Sequence, residues 1–181
     1  MNLSPRLLND RALCAEVLTL VEERGLTGNA LVLEITETAL AGDLGLAADV
    51  LAELRAAGVR IELDDFGSGY ASFKALHDLP LDGVKLDGDL VGDMEPGGRQ
   101  LLAATVNIGR RLGLKVVAEG VETGDTLEAV QVLGVDSAQG FLLSCPLTAD
   151  ETRRLLGLSE RKAGPQPAAS SLSSLGSAGP G

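Results

Sequence analysis

The sequence predicts an α/β fold, an incomplete (β/α) barrel of the TIM type, on three observations. Strand-like and helix-like segments alternate along the chain, the pattern of a parallel sheet with crossover helices. Nearly every strand-like segment ends in a reactive side chain: Glu34 and Glu37, Asp64 and Asp65, Lys85 and Asp87, Glu119 and Glu122, then Gln139. Functional groups delivered by many successive strand ends are the habit of barrels, whereas an open doubly wound sheet gathers them at one switch point behind a glycine fingerprint. The third observation is length. About five full strand and helix units plus a remnant are visible, fewer than the roughly 250 residues of a complete barrel hold. The barrel is therefore expected to lack its first strand or strands.

Each element follows from local pattern. The opening "NLSPRLLNDRALCAEVLTLVEERG" reads as the end of a strand, then a helix with Ser4 as N-cap, Pro5 in its first turn and Gly25 beyond its last. Leu7, Leu8, Val17, Leu18 and Val21 recur at helical spacing. "ALVLEIT" is an apolar strand, Asp43 to Ala57 a helix stopped by Gly58, and "VRIEL" a strand. "YASFKALHDLP" is a loop with one or two helical turns, and its His77 is given no catalytic duty. "DGVKLD" is a strand, residues 97–112 a helix, "LKVVAEG" a strand and residues 125–133 a helix. "VDSAQGF" is a short segment before a last helix, which is capped by Thr148 with Asp150 and Glu151 in its first turn.

Composition narrows the function. The 181 residues are 45% hydrophobic, enough for one domain with a real core, expected over residues 1–158. Residues 159–181, rich in Ser, Gly, Pro and Ala, have little to bury and are expected to be a disordered tail. The net charge of −11 opposes binding to a nucleic-acid polymer and suits sites that collect divalent cations. Cys14 and Cys145 have no disulfide or metal-ligand spacing and are read as buried packing residues in a reducing compartment. No apolar run reaches the roughly 20 residues of a membrane span, and no signal peptide is visible, so a cytoplasmic location without membrane contact is expected.

Asn, Asp and Glu oxygens with almost no histidine or usable cysteine form a hard ligand set, suited to Mg²⁺ or Mn²⁺. Adjacent aspartates at a strand end, with side chains diverging, can each serve one metal, and two metals can clamp a phosphodiester and activate water. Lys85 among the acids would hydrogen-bond that water or the phosphate. Gly67 and Gly69 free the following loop to approach a ligand. A double Asp before Gly is as readily a turn, and Lys85 with Asp87 as readily a surface pair. Recurrence at the same end of consecutive strands favours a site.

The motifs "NLSP", "LEITET", "IELDDFGSGYASF", "LDGVKLDGDLV", "VVAEGVET" and "GVDSAQGFLLSCPL", over about residues 2–148, resemble the EAL domain family in order and spacing. That family comprises bacterial cyclic-di-GMP-specific phosphodiesterases on a modified TIM barrel, which hydrolyse cyclic di-GMP to pGpG with Mg²⁺ or Mn²⁺, two ions in the complete domain. The resemblance implies that Asn2, Glu34 and Asp64 are metal ligands and that Asp65 serves the second metal or the attacking water. Lys85 is implied beside that water, with Glu119 and Gln139 around the metals and nucleophile, Glu122 in support, and Glu37 steadying the loop 66–73. Ser68 stands for the usual threonine, Phe141 for the usual tyrosine, and Cys145 where a basic residue is common.

The Glu-Ala-Leu strand that names the family lies upstream of "NLS", and Met1 stands one residue before that motif, so an N-terminally truncated domain is expected. With about five inward apolar side chains uncovered, at roughly 1.5–3 kcal/mol each, the isolated chain should be marginal or cover its open edge with another chain, and is not expected to turn over substrate alone. Family habit adds an upstream GGDEF or sensor domain and a homodimer as partners. The alternative reading is a non-catalytic cyclic-di-GMP receptor or protein-interaction module. A carboxylate-pair glycosidase would have the acids but lacks the aromatic residues of a sugar cleft, with one Tyr, three Phe and no Trp.

Overall fold

The computed structural model describes residues 1–4, 7–10, 12–36, 39–40, 44–68 and 73–158. Pro5, Glu37, part of the loop 66–73 and the 159–181 tail lie outside the described residues, and so do the expectations attached to them. The chain forms two compact units, Met1–Cys145 and Pro146–Gly181.

In the first unit five strands, β1 (Val32–Thr36), β2 (Arg60–Phe66), β3 (Gly83–Leu86), β4 (Lys115–Ala118) and β5 (Ser137–Ala138), make one parallel sheet in sequence order. Helix α1 (Ala12–Glu23) precedes β1; α2 (Leu44–Ala56), α3 (Phe73–Asp78), the short α4 (Gly88–Gly92), α5 (Pro96–Arg111) and α6 (Gly124–Leu133) fill the crossovers. Strand order that never reverses is the winding of a barrel. Among the described residues β1 and β5 do not pair with each other, so the sheet is open, as an incomplete barrel requires. Residues 1–3 extend the β1 edge: the amide of Glu34 donates to Met1 O at 2.9 Å and that of Leu3 to Glu34 O at 2.8 Å, which sets Asn2 beside Glu34.

Strand alternation sorts the side chains. Leu33, Ile35, Ile61, Leu63, Val84 and Leu86 are fully buried on one face, with Val50, Leu51 and Leu54 of α2 and Leu102 and Val106 of α5 in the same core. Each such side chain contributes roughly 1.5–3 kcal/mol by leaving water. On the opposite face of β1–β4 only Val32 and Val117 are apolar; Glu34, Glu62, Asp64 and Lys85 occupy its centre. The expected five uncovered apolar side chains are not found there, because that face is charged.

At the amino ends of the strands two aspartates bind backbone. Asp82, just before β3, accepts the Ile61 amide at 2.9 Å, and Asp136, just before β5, accepts the Val116 amide at 2.8 Å. Arg55 Nε also donates to Asp82 at 2.9 Å. Each aspartate ties the first turn of its strand to the neighbour already laid down.

Several boundaries differ from the sequence expectation. The first helix begins at Ala12, not near Pro5, because Asp10 Oδ1 accepts the Ala12 amide at 2.9 Å and caps it there; Leu7–Asn9 is a separate 3₁₀ turn. Strand β2 continues through both aspartates to Phe66. Helix α4 was not foreseen; Asp87 caps it, its Oδ1 accepting the Asp89 amide at 2.9 Å. Cys14 is buried as expected, but Cys145 is exposed, and neither is in a disulfide. No helix among the described residues is long and apolar enough to cross a membrane.

In the second unit the described helix is α7 (Ala149–Leu155). A capping box opens it: Thr148 Oγ1 accepts the Glu151 amide at 3.3 Å, and Glu151 Oε2 accepts the Thr148 amide at 2.8 Å.

Candidate active site

Parallel strands all end on the same side of their sheet, so polar residues at successive strand ends meet. Glu34 comes from β1, Asp64 and Asp65 from β2 and Lys85 from β3, with Glu119 directly after β4 and Gln139 directly after β5. The register is staggered: Glu34 faces Glu62, and Thr36 faces Asp64.

A regular strand would send Asp64 and Asp65 to opposite faces. The pairing of β2 with β3 shifts between Leu63 and Phe66, and Asp65 adopts φ 57°, the one described non-glycine residue with positive φ. The extra residue turns Asp65 back toward its neighbour. One oxygen each of Asp64, Asp65 and Glu119 lies within 4.8 Å of the others. The expectation that the two aspartates diverge is thus corrected: the bulge makes them converge.

Lys85 stands among these acids and is buried. Its Nζ lies 2.7 Å from Asp64 Oδ1, 2.7 Å from Glu119 Oε1 and 3.3 Å from Glu34 Oε1. Gln139 Nε2 donates to Glu119 Oε1 at 3.1 Å, which holds the glutamate from the β5 side. Gly88 and Gly120 let the segments after β3 and β4 approach each other closely. Gly120 has φ 63°, and a Cβ there would come within 2.8 Å of Gly88 Cα.

The charges act on one another. Burial opposes the charge on Lys85, but its hydrogen bonds to Asp64 and Glu119 outweigh that, so its pKa is raised and the ammonium is held charged. Burial pushes the Asp65 carboxyl up, and the negative charges of Asp64 and Asp87 push it further, against the opposing pull of Lys85. Glu119 is likewise raised, first by burial and then by Asp64 and Asp65, with Lys85 pulling it down. Raised carboxylates packed against a lysine in a strand-end cleft mark the place where a cation or a proton would be most welcome.

The donor set is all oxygen and carries four carboxylates against the Lys85 ammonium and, at 3.9 Å from Glu34 Oε2, the N-terminal ammonium of Met1, which fits hard divalent cations such as Mg²⁺ or Mn²⁺. Asp64, Asp65 and Glu119 could hold such an ion together. Glu34 reaches the cluster through Lys85, and Asn2 is its register neighbour. Glu122 is exposed between β4 and α6, with no side-chain contact to the cluster among the described residues. Glu37 lies outside them.

Two acids stand out to which the sequence reading gave no role in the site, although Asp87 is among its reactive strand ends. Asp87 is near enough to Asp65 to raise it; the signal was its position two residues after Lys85. Glu62 is buried at 8% exposure on the same face as Asp64, with no side-chain hydrogen bond or ion pair among the described residues. Its signal was a charge inside a strand otherwise apolar until its end.

The EAL domain family profile matches residues 1–146, the whole of the first unit and one residue beyond it. The chain belongs to the EAL domain family. Among its EAL relatives is the "Cyclic di-GMP phosphodiesterase PA2567" of Pseudomonas aeruginosa, 33% identical over 153 residues, which are 83% of this chain and 26% of that protein. The solved EAL domain of Mycobacterium smegmatis DcpA superimposes with a TM-score of 0.82 at 35% identity, over 86% of this chain and 71% of that one. A manganese and cyclic di-GMP complex of Klebsiella pneumoniae BlrP1 matches with a TM-score of 0.72 at 32% identity, over 78% of this chain and 37% of that one. The chain spans about a quarter or less of the length of such curated relatives, so what their full lengths do is not automatically its own.

Proposed function

We propose that this EAL chain provides the catalytic face of a cyclic-di-GMP phosphodiesterase that hydrolyses one phosphodiester bond to give linear pGpG. The observation that carries the reading is the convergence of Asp64, Asp65 and Glu119 oxygens within 4.8 Å around Lys85. A bound Mg²⁺ or Mn²⁺, two in the complete site, would neutralise phosphate charge and lower the pKa of a bound water.

The chain's own residues do the rest. Asn2, Glu34 and Asp64 would hold the first ion and Asp65 the second, with Glu119, bonded to Gln139, able to serve either an ion or the water. Glu119 and Asp65, both raised, are the groups best able to take a proton from that water. Attack of the water oxygen on phosphorus breaks the P–O3′ bond, and the proton taken from the water passes to the leaving O3′, giving a 5′-phosphate on one guanosine and a free 3′-hydroxyl on the other. Lys85 donates to a phosphate oxygen as negative charge grows there. Glu122 has a supporting role, and Glu37 that of steadying the loop 66–73.

Because the sheet is open among the described residues, the 181 residues alone are not expected to turn over substrate. Two unpaired cysteines suit a reducing, cytoplasmic setting. A GGDEF or sensor domain and a second copy of the chain are proposed partners besides cyclic di-GMP.

The test is conversion of cyclic di-GMP to pGpG, followed by chromatography, by the chain alone and by the longest form its gene encodes. Hydrolysis by the long form that needs Mg²⁺ or Mn²⁺ and disappears in Asp64→Ala, with none by the chain alone, is the expected result. Tight nucleotide binding without turnover in the long form would replace this reading with that of a receptor.

A further inference from the structure

Lys85 is the only side-chain cation in ion-pair contact with the clustered carboxylates among the described residues. Its ammonium takes one oxygen from each of three strand ends, Asp64 Oδ1, Glu119 Oε1 and Glu34 Oε1. The contact to Asp64 Oδ1 is a hydrogen bond, and Glu119 Oε1 and Glu34 Oε1 pair with the same charge as ionic contacts. Asp64 and Glu119 are also two of the three residues whose oxygens converge within 4.8 Å. A divalent cation at that point of convergence competes for the same carboxylates, and two positive centres so close repel, the more so because Lys85 and Asp64 are buried.

We propose that Lys85 is a built-in counter-ion of the metal centre, which a divalent cation must displace from Asp64 and Glu119 in order to bind. The inference rests on reading the cluster as a metal centre. It explains how an acidic cluster can converge in a folded protein before any metal arrives: the ammonium offsets the mutual repulsion of the carboxylates. It also sets the working affinity, because the ion binds only as tightly as its advantage over the lysine allows. Once displaced, the ammonium loses two acceptors and is left with free N–H donors for the phosphate of a substrate. One residue thus guards the site before loading and serves it afterwards.

The experiment is calorimetric titration of the full 181-residue chain with Mn²⁺, as wild type and as Lys85→Met, which keeps the length of the side chain and removes its charge. Lys85→Met should bind Mn²⁺ at least ~10-fold more tightly (about 1.4 kcal/mol). It should also melt at a lower temperature without divalent ions and gain more from Mn²⁺ than the wild type does. Wild-type binding with equal or weaker binding by the variant overturns the counter-ion role and leaves the metal reading intact. Failure of both proteins to bind overturns the two together. Should the variant not fold, a Mg²⁺ titration of wild-type protein labelled at lysine Cε and Nζ decides the matter. The chain has only four lysines, Lys74, Lys85, Lys115 and Lys162, so the Lys85 signal can be assigned by substituting the others. It should shift in step with Mg²⁺ saturation, and a Lys85 signal that does not move while Mg²⁺ binds overturns the proposal.

Discussion

The two rims of the sheet use the same kind of residue in opposite ways. At the amino rim, Asp82 and Asp136 each receive a backbone amide from the neighbouring strand, so their charge is spent on holding the fold. At the carboxyl rim, Asp64, Asp65, Glu34 and Glu119 face one another and a single lysine, with acceptor capacity left over. An aspartate that satisfies its own protein contributes stability; one that crowds its neighbours is destabilising until something else arrives. Whether an acid belongs to the fold or to the function is therefore decided by what it accepts from.

The sharpest way to break this contrast is Glu119→Ala. It should lower Mn²⁺ affinity by roughly 100-fold, more than the 10 to 100-fold typical for a supporting partner would require at its lower end, while the melting temperature without metal changes little. Asp136→Ala should do the reverse. It orphans the Val116 amide at a cost of about 1–3 kcal/mol, a fall of several degrees in melting temperature for a domain of this size, with Mn²⁺ affinity unchanged.

Acidity separates the rims next. Asp65 and Glu119 have pKa values raised in the folded protein, so the native state binds more protons than the unfolded one between the two sets of values. In metal-free protein this contribution to stability is greatest below the unfolded carboxylate pKa and is lost as pH rises through the folded values. Metal competes with those protons. Mn²⁺ affinity should accordingly begin to fall, as pH is lowered, before ordinary carboxylates protonate; calorimetry across a pH series reads both trends. An affinity that stays level until the usual carboxylate range would show the acids to be less crowded than the geometry says. The smallest effect belongs to Arg55→Ala, which removes an exposed partner of Asp82 and leaves its amide bond in place. A loss of no more than about 1 kcal/mol is expected, measurable by denaturant titration.

Much of this arrangement was legible in the sequence. Five strands at their places, helices stopped by Gly25, Gly58, Gly113 and Gly134, and the reactive strand ends all follow from period, capping chemistry and punctuation, which are local. The meeting of Lys85 with Asp64 and Glu119 followed from parallel strand order alone. The convergence of Asp64 with Asp65 did not, because a register shift against β3 is a property of two strands together. The amino-rim clasps were invisible for a similar reason. Asp82 and Asp136 look in sequence like the turn residues before two strands, and only the neighbouring strand supplies the amides they accept. Helix α4 was hidden by its length, five residues being too few to show a period.

The left-handed backbone at Asp65 has a practical consequence for anyone who tries to assign a role to that side chain. Residues with a Cβ pay roughly 1–2 kcal/mol to stand there, and asparagine and aspartate are among the few that recover some of it through local hydrogen bonds. Alanine at this position would remove the carboxylate and also strain the turn that aims Asp64, so a dead variant would confuse a missing ligand with a misdirected one. Asparagine keeps the turn and removes only the charge. The more conservative substitution is here the more decisive one.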